Sequence, residues 1–247
     1  MSDEGRISPG FDERVVILAP MRSELMPLVR LLSLKASGFE KGSFLRGRLG
    51  RAEIVATTTG IGSEAAARTT ERILDSSHAS YIVVVGVAGG IGPSVNIGDL
   101  VVPEVVVDLL TGAEYRQGNR GGVELRGKLA TSDRLVNDPA EVASLERQGV
   151  IAVDMETAAI AAVCERHRCP WSVFRAISDH ADDGSIDQAI FNLAGPDGKP
   201  HLRAVVRFVL ARPKRVLQLT RLARDFRIAT YVAAKAAVRA LENRYAS

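Results

Sequence analysis

Apolar residues along the chain fall into short unbroken runs separated by stretches of helical period. Val15-Val-Ile-Leu-Ala19, stopped by Pro20, is too short for a helix and reads as a buried strand. Residues 53–58 read as a second strand, closed by the turn Gly60-Ile-Gly62, and Ser63 is placed to cap a helix running through Leu74. Tyr81-Ile-Val-Val-Val85 is a third strand and runs into Gly86-Val-Ala-Gly-Gly-Ile-Gly92. Residues 100–110 form a long β-branched run, and residues 128–131 and 150–153 are short strands around a helix near 139–147. From Asp154 an alanine-rich helix reaches His167 and stops before Pro170; Trp171–Ile177 is the last strand.

Strands alternating with helices predict an α/β layer fold, and strands with little internal alternation predict a sheet covered on both faces. No repeat or low-complexity tract interrupts the pattern. The turn cluster Gly195-Pro-Asp-Gly-Lys-Pro200 separates a core over 14–195 from an extension over 196–247, within one domain spanning 1–247.

Hydrophobic residues make up 46% and charged residues 25% of the 247, which excludes a disordered chain and supplies apolar material for a substantial core. Two cysteines, Cys164 and Cys169, exclude a disulfide scaffold. Apart from His167 between them no Cys/His cluster has zinc spacing, so no metal site is expected. No apolar run reaches the ~20 residues of a membrane span, and the first residues are acidic and polar rather than a signal peptide. A cytoplasmic, reduced protein is the expectation. The net charge of +3 hides a split: residues 199–247 carry +10 and the remainder −7, so the tail has its own task or partner.

Four segments place polar chemistry just past predicted strand ends, where open α/β sheets bind ligands. In Gly86–Gly92, glycines let backbone approach a ligand and expose N–H groups, although a tight turn would use them equally. No Gly-Lys-Ser/Thr follows, and Gly60-Ile-Gly62 lacks the third glycine of a dinucleotide fingerprint. Asp154-Met-Glu156 opens a predicted helix. One acid there suffices to complement the helix dipole, and two at this spacing point to different sides, so at most one faces a site with a given partner. A carboxylate beside a sugar would accept hydrogen bonds from two hydroxyls and favour positive charge on that sugar. Arg175-Ala-Ile-Ser-Asp179 runs from an apolar strand into polar residues, which a turn also explains. In Ala19-Pro-Met-Arg-Ser-Glu24, the acid Glu24 serves equally as a first-turn helix residue.

These four segments, in this order, resemble the nucleoside phosphorylase/nucleosidase superfamily, above all the 5′-methylthioadenosine/S-adenosylhomocysteine nucleosidases and their relatives. The likeness covers most of residues 15–181 and is most specific where Ala152-Val-Asp-Met-Glu-Thr-Ala-Ala159 is followed by Phe174-Arg-Ala-Ile-Ser-Asp179. It implies a single α/β domain with a central mixed, partly closed sheet flanked by helices, and cofactor-free hydrolysis of a purine (adenine) N-ribosyl bond by a homodimer. It also implies roles. Asp179 is the general acid that protonates N7 of the leaving base, which near neutral pH requires a raised pKa, and Ser178 is its hydrogen-bonding neighbour. Glu24 orients or deprotonates the attacking water. Glu156 holds the ribose hydroxyls and stabilises the cationic sugar. Met155 packs on the sugar, Ala88 and Gly89 line base or sugar, and Val136 presents backbone to the base edge. Leu135 stands where nucleosidases often place a stacking Phe, and Gly62 completes the substrate-binding set.

The chain also departs from the family pattern. Asp154 stands where Glu is frequent. Val87 lacks the hydroxyl that helps hold phosphate in phosphorylases, and Glu24 occupies a region where they tend to use Arg; both point to water rather than phosphate. Phosphorolysis, the alternative, would draw on Arg22 and Arg134. The stretch between Leu110 and Gly127, which borders the base and the 5′ end of the substrate, is shortened. Relatives acting on adenosylhopane, a lipid-linked nucleoside, share this compact middle.

In the tail, Val216, Leu219, Leu222, Phe226, Ala229, Ala233 and Leu241 recur at helical spacing, while Lys214, Arg215, Arg221, Arg224 and Arg227 crowd the remainder. Such a helix either packs on the core with a solvated basic face or docks its apolar stripe on anionic lipid, at the membrane periphery. No nucleic-acid motif accompanies the charge. A non-catalytic nucleoside-binding or lipid-docking protein is the other alternative; intact Glu24, Glu156 and Asp179 speak against it.

Overall fold

A computed structural model describes residues 11–36, 44–118, 122–181 and 216–245. The turn cluster at 195–200 and the basic residues Lys199 to Arg215 lie outside the described residues. The first half of the chain gives β1 (Glu13–Ala19), α1 (Arg22–Leu31), β2 (Lys35–Ala36), β3 (Leu45–Leu49), β4 (Ala52–Thr58), α2 (Ser63–Ser76) and β5 (Tyr81–Gly90). After it come β6 (Leu100–Val101), β7 (Val105–Asp108), β8 (Glu114–Tyr115), β9 (Lys128–Thr131), α3 (Pro139–Arg147), β10 (Val150–Asp154), α4 (Thr157–Arg166), β11 (Trp171–His180) and a helix here labelled α5 (Val216–Tyr245).

The strands form one mixed sheet in the order β2-β3-β4-β1-β5-β10-β9-β7-β8, with β11 also paired to β5 and to β6. Its two faces explain the unbroken apolar runs. Val15, Ile17, Tyr81, Val83 and Val85 point to one face and pack with Leu25 and Leu28 of α1 and with Ala229, Ala233, Ala237 and Leu241 of α5. Val16, Leu18, Ile82 and Val84 point to the other and pack with Ala66 and Ile73 of α2 and with Ile160, Ala161 and Cys164 of α4. Among the described residues each face is covered by two helices, so both faces of these strands are mainly apolar. The alanines of α5 let that helix lie close on the sheet, and Ala229, Ala233, Ala234, Ala237, Val238, Ala240, Leu241 and Tyr245 belong to the main core. Its end is fastened by Arg244 and the Tyr245 hydroxyl, which donate to Glu13 at 3.2 and 2.8 Å. No described helix is long and apolar enough to cross a membrane.

Four local expectations change. Gly86–Gly90 is not a loop but the last part of β5. The run at 100–110 breaks at Pro103, which has no N–H for a ladder, into β6 and β7. Ser63 is the first helical residue rather than the cap; Gly62 takes the cap position at φ +92°, which suits glycine. Asp154 closes β10 and Met155 and Glu156 form a bend, so the two acids do not sit in one helical turn.

Candidate active site

The parallel pairs β1–β4, β1–β5 and β5–β11 bring their carboxyl ends to one side of the sheet. Strand β10 runs antiparallel to β5 and meets it only at Ala152–Gly90 and Val153–Gly89. Its carboxyl end therefore arrives at the carboxyl end of β5, and the sheet curls around that point. A cavity of about 230 Å³ opens there. Glu24, Glu156, Ser178 and Asp179 line it, together with Ala88, Gly89, Met155, Leu135 and Val136. Gly62 reaches the same place through its N–H, which donates to Glu156 Oε1 at 2.9 Å. The structure thus brings together the ten residues to which the family resemblance gives catalytic or substrate-binding roles.

Behind the cavity wall lies Arg175, fully buried on β11. Its Nη2 is 2.6 Å from Asp154 Oδ2 and 3.4 Å from Glu156 Oε2, and donates to Thr157 Oγ1 at 3.1 Å; its Nη1 is 3.9 Å from Glu24 Oε1. One guanidinium therefore anchors three carboxylates from two parts of the chain, Glu24 of α1 and the Asp154–Glu156 bend. This corrects the expectation that only one of Asp154 and Glu156 meets a common partner: outside a regular helix, the bend turns both toward Arg175. Their environments differ. Asp154 accepts further hydrogen bonds from the Thr131 hydroxyl (2.7 Å), the Thr157 N–H (3.3 Å) and the Thr157 hydroxyl, so its oxygens are held inside the protein. Among the described residues, Glu156 is held by the Gly62 N–H and Arg175.

Glu24 accepts from the N–H groups of Met21 (3.0 Å) and Val87 (2.9 Å). Burial, against the opposing pull of Arg175, pushes its pKa up to about 7. Burial likewise raises Glu156, again opposed by Arg175. Ser178 donates its hydroxyl to Asp179 Oδ1 at 2.5 Å. Gly86 has a different task from the ligand contact anticipated for it. A Cβ there would lie 2.2 Å from Arg175 Nη1 and 2.5 Å from Glu24 Oε1, so only glycine lets this ion pair cross the strand.

Sequence reasoning gave no role to Arg175, although it stood in a quoted motif; a lone arginine inside an otherwise apolar strand was the available clue. It also missed Phe226, which lines the cavity from α5, and Met21 and Ile61, which add to the apolar wall. Arg134 lines the cavity but forks onto Glu141 at 2.5 and 2.9 Å, and Arg22 is exposed and away from the cavity lining.

A sequence model of the phosphorylase superfamily matches residues 14–130 and 123–210. The chain is 32% identical over 207 residues to a 5′-methylthioadenosine/S-adenosylhomocysteine nucleosidase of Geobacillus kaustophilus, covering 70% of this chain and 86% of that protein. It is 34% identical over 169 residues to the enzyme of the same name from Anoxybacillus flavithermus, covering 56% and 73%. Among solved structures, futalosine hydrolase of Helicobacter pylori superimposes with a TM-score of 0.72 at 18% identity, over 93% of this chain and 97% of that one. The Neisseria meningitidis nucleosidase in complex with methylthio-immucillin-A gives 0.69 at 23% identity, over 94% and 99%. These two share the fold. With the family pattern running from β1 through β11 and a relative matched over most of its own length, the chain belongs to the phosphorylase superfamily.

Proposed function

We propose that the protein hydrolyses the N-glycosidic bond of an adenine nucleoside, using Asp179, Glu156 and Glu24 as its working carboxylates. The observation that carries this reading is their convergence, from three separate elements, on one cavity at the carboxyl ends of the strands. Loss of a purine leaves positive charge on the sugar and requires a proton on N7. Asp179 donates that proton, steadied by Ser178. Glu156, held by the Gly62 N–H and Arg175, accepts the ribose hydroxyls and offsets the developing cation. Water attacks C1′ as the C1′–N9 bond breaks, and its proton passes to Glu24, whose pKa of about 7 suits an acceptor at neutral pH. Met155, Ala88 and Gly89 line the sugar and base, Val136 offers backbone to the base edge and Leu135 covers the ring. The products are free adenine and the free sugar.

Water is favoured over phosphate because Val87 supplies no hydroxyl and Arg134 is engaged by Glu141. The same reading has the protein acting in the cytoplasm as a homodimer that touches anionic membranes through its basic tail. Incubating the purified protein with adenosine, methylthioadenosine, S-adenosylhomocysteine and a hydrophobic 5′-substituted adenosine, with and without phosphate, tests the activity. Adenine release that does not depend on phosphate is expected from at least one of them; no release from any sinks the reading. Light scattering of the purified chain tests the dimer.

A further inference from the structure

Helix α5 has two unlike faces. Its inner face, with Ala229, Ala233, Ala237 and Leu241, is buried in the main core. The apolar stripe that the sequence offered to a lipid surface is thus already covered by protein along those turns. The opposite face is not simply polar. Leu217, Ile228 and Tyr231 stand on it, exposed by 71%, 40% and 49%, and are half of the six large apolar side chains exposed among the described residues. Arg221, Arg224, Lys235 and Arg239 are exposed between and beyond them. From Leu217 to Arg239 these seven positions follow one another in steps of three or four residues, so they form one line along the helix. The line is roughly 33 Å long at 1.5 Å per residue. Arg227 adds a fifth exposed cation beside it, and Glu242 is the one exposed acid described on the helix.

We propose that this outer face docks the protein on an anionic lipid surface. The helix lies flat, with Leu217, Ile228 and Tyr231 among the headgroups and the arginines and Lys235 on lipid phosphates. Charge selects this occupant. A second copy of the same face would oppose cations with cations, and a purely acidic soluble partner would leave the three apolar side chains without a role. Phe226, on the inner face of the same helix, lines the cavity, so the docked helix lies between the cavity and the membrane. The assignment deepens the peripheral contact proposed above and does not rest on nucleoside cleavage.

Co-sedimentation of the full chain with phosphatidylcholine vesicles, with and without phosphatidylserine, tests it. Binding is expected only to the serine-containing vesicles and should fall steeply with salt. Each basic residue at an anionic leaflet multiplies affinity about fivefold. The variant Arg221→Glu/Arg224→Glu/Lys235→Glu should therefore lose at least ~100-fold in partitioning. A second variant, Leu217→Ser/Ile228→Ser/Tyr231→Ser, should also bind more weakly, and the charge-reversed variant should keep the wild-type melting temperature because its three positions are exposed. Failure of the wild-type chain to pellet at low salt overturns the proposal. So does pelleting of the charge-reversed variant like wild type, or retention on duplex DNA without vesicle binding. If the wild-type chain shows no nucleosidase activity, the vesicle result still decides this point.

Discussion

Replacing Arg175 with Leu removes the cation that Asp154, Glu156 and Glu24 share at 2.6, 3.4 and 3.9 Å. All four side chains are buried, so the carboxylates recover little hydration when the cation is removed. Breaking a buried ion pair by deleting one partner costs about 3–5 kcal/mol. For a chain of this size, each kcal/mol lowers the melting temperature by about 2–4 °C, so a fall of roughly 6–20 °C is expected near pH 8. The loss should depend on pH in a definite direction. Burial holds Glu24 at about 7 and raises Glu156, both above the 4.5 of an ordinary glutamate. A carboxyl raised in the folded state favours folding fully below 4.5, and that advantage is lost as pH climbs through about 7. Arg175 opposes the rise at both groups. Without it they rise further, and the extra loss appears on the alkaline side. Thermal and urea unfolding of both proteins at pH 5 and pH 8 reads this directly. A deficit under about 1 kcal/mol, or one equal at the two pH values, would refute the assignment of Arg175 as the anchor of the carboxylates.

Other perturbations have equally definite outcomes. Gly86→Ala should force Arg175 and Glu24 apart, costing about 1–3 kcal/mol by urea titration, with turnover falling far more than stability explains. Asp179→Asn should lower kcat about 10²–10⁴-fold while equilibrium dialysis still detects nucleoside binding; wild-type turnover would mean that another group is the acid. Phe226→Ala should raise KM roughly tenfold with kcat little changed, because the side chain lines the cavity without belonging to the carboxylate set; an unchanged KM would remove α5 from the binding wall.

Much of this architecture is legible in the sequence because strand burial and strand-end chemistry are local. The runs at 15–19, 53–58 and 81–85 are strands because both sheet faces are covered, and the polar residues that follow them mark the carboxyl ends. Helix α3 matches its expected span of 139–147. What local reasoning cannot see is where distant segments cross. Gly86 looks like a ligand loop because the side chains that need its missing Cβ, Arg175 and Glu24, lie far away in the sequence. Asp154 and Glu156 look divergent because the motif resembles a helix start, whereas the cation they both meet, Arg175, lies two elements later. Phe226 reaches the cavity only because the alanine face of α5 seats that helix on the sheet.

The central claim is that water, not phosphate, captures C1′ of the sugar. Running the reaction in oxygen-18 water with phosphate present, and weighing the released sugar by mass spectrometry, tests it in one step. The expected result is free adenine together with a free sugar that carries one heavy oxygen from solvent. An unlabelled ribose 1-phosphate, or its 5′ derivative, would contradict the account and return Arg134 to consideration as a phosphate ligand.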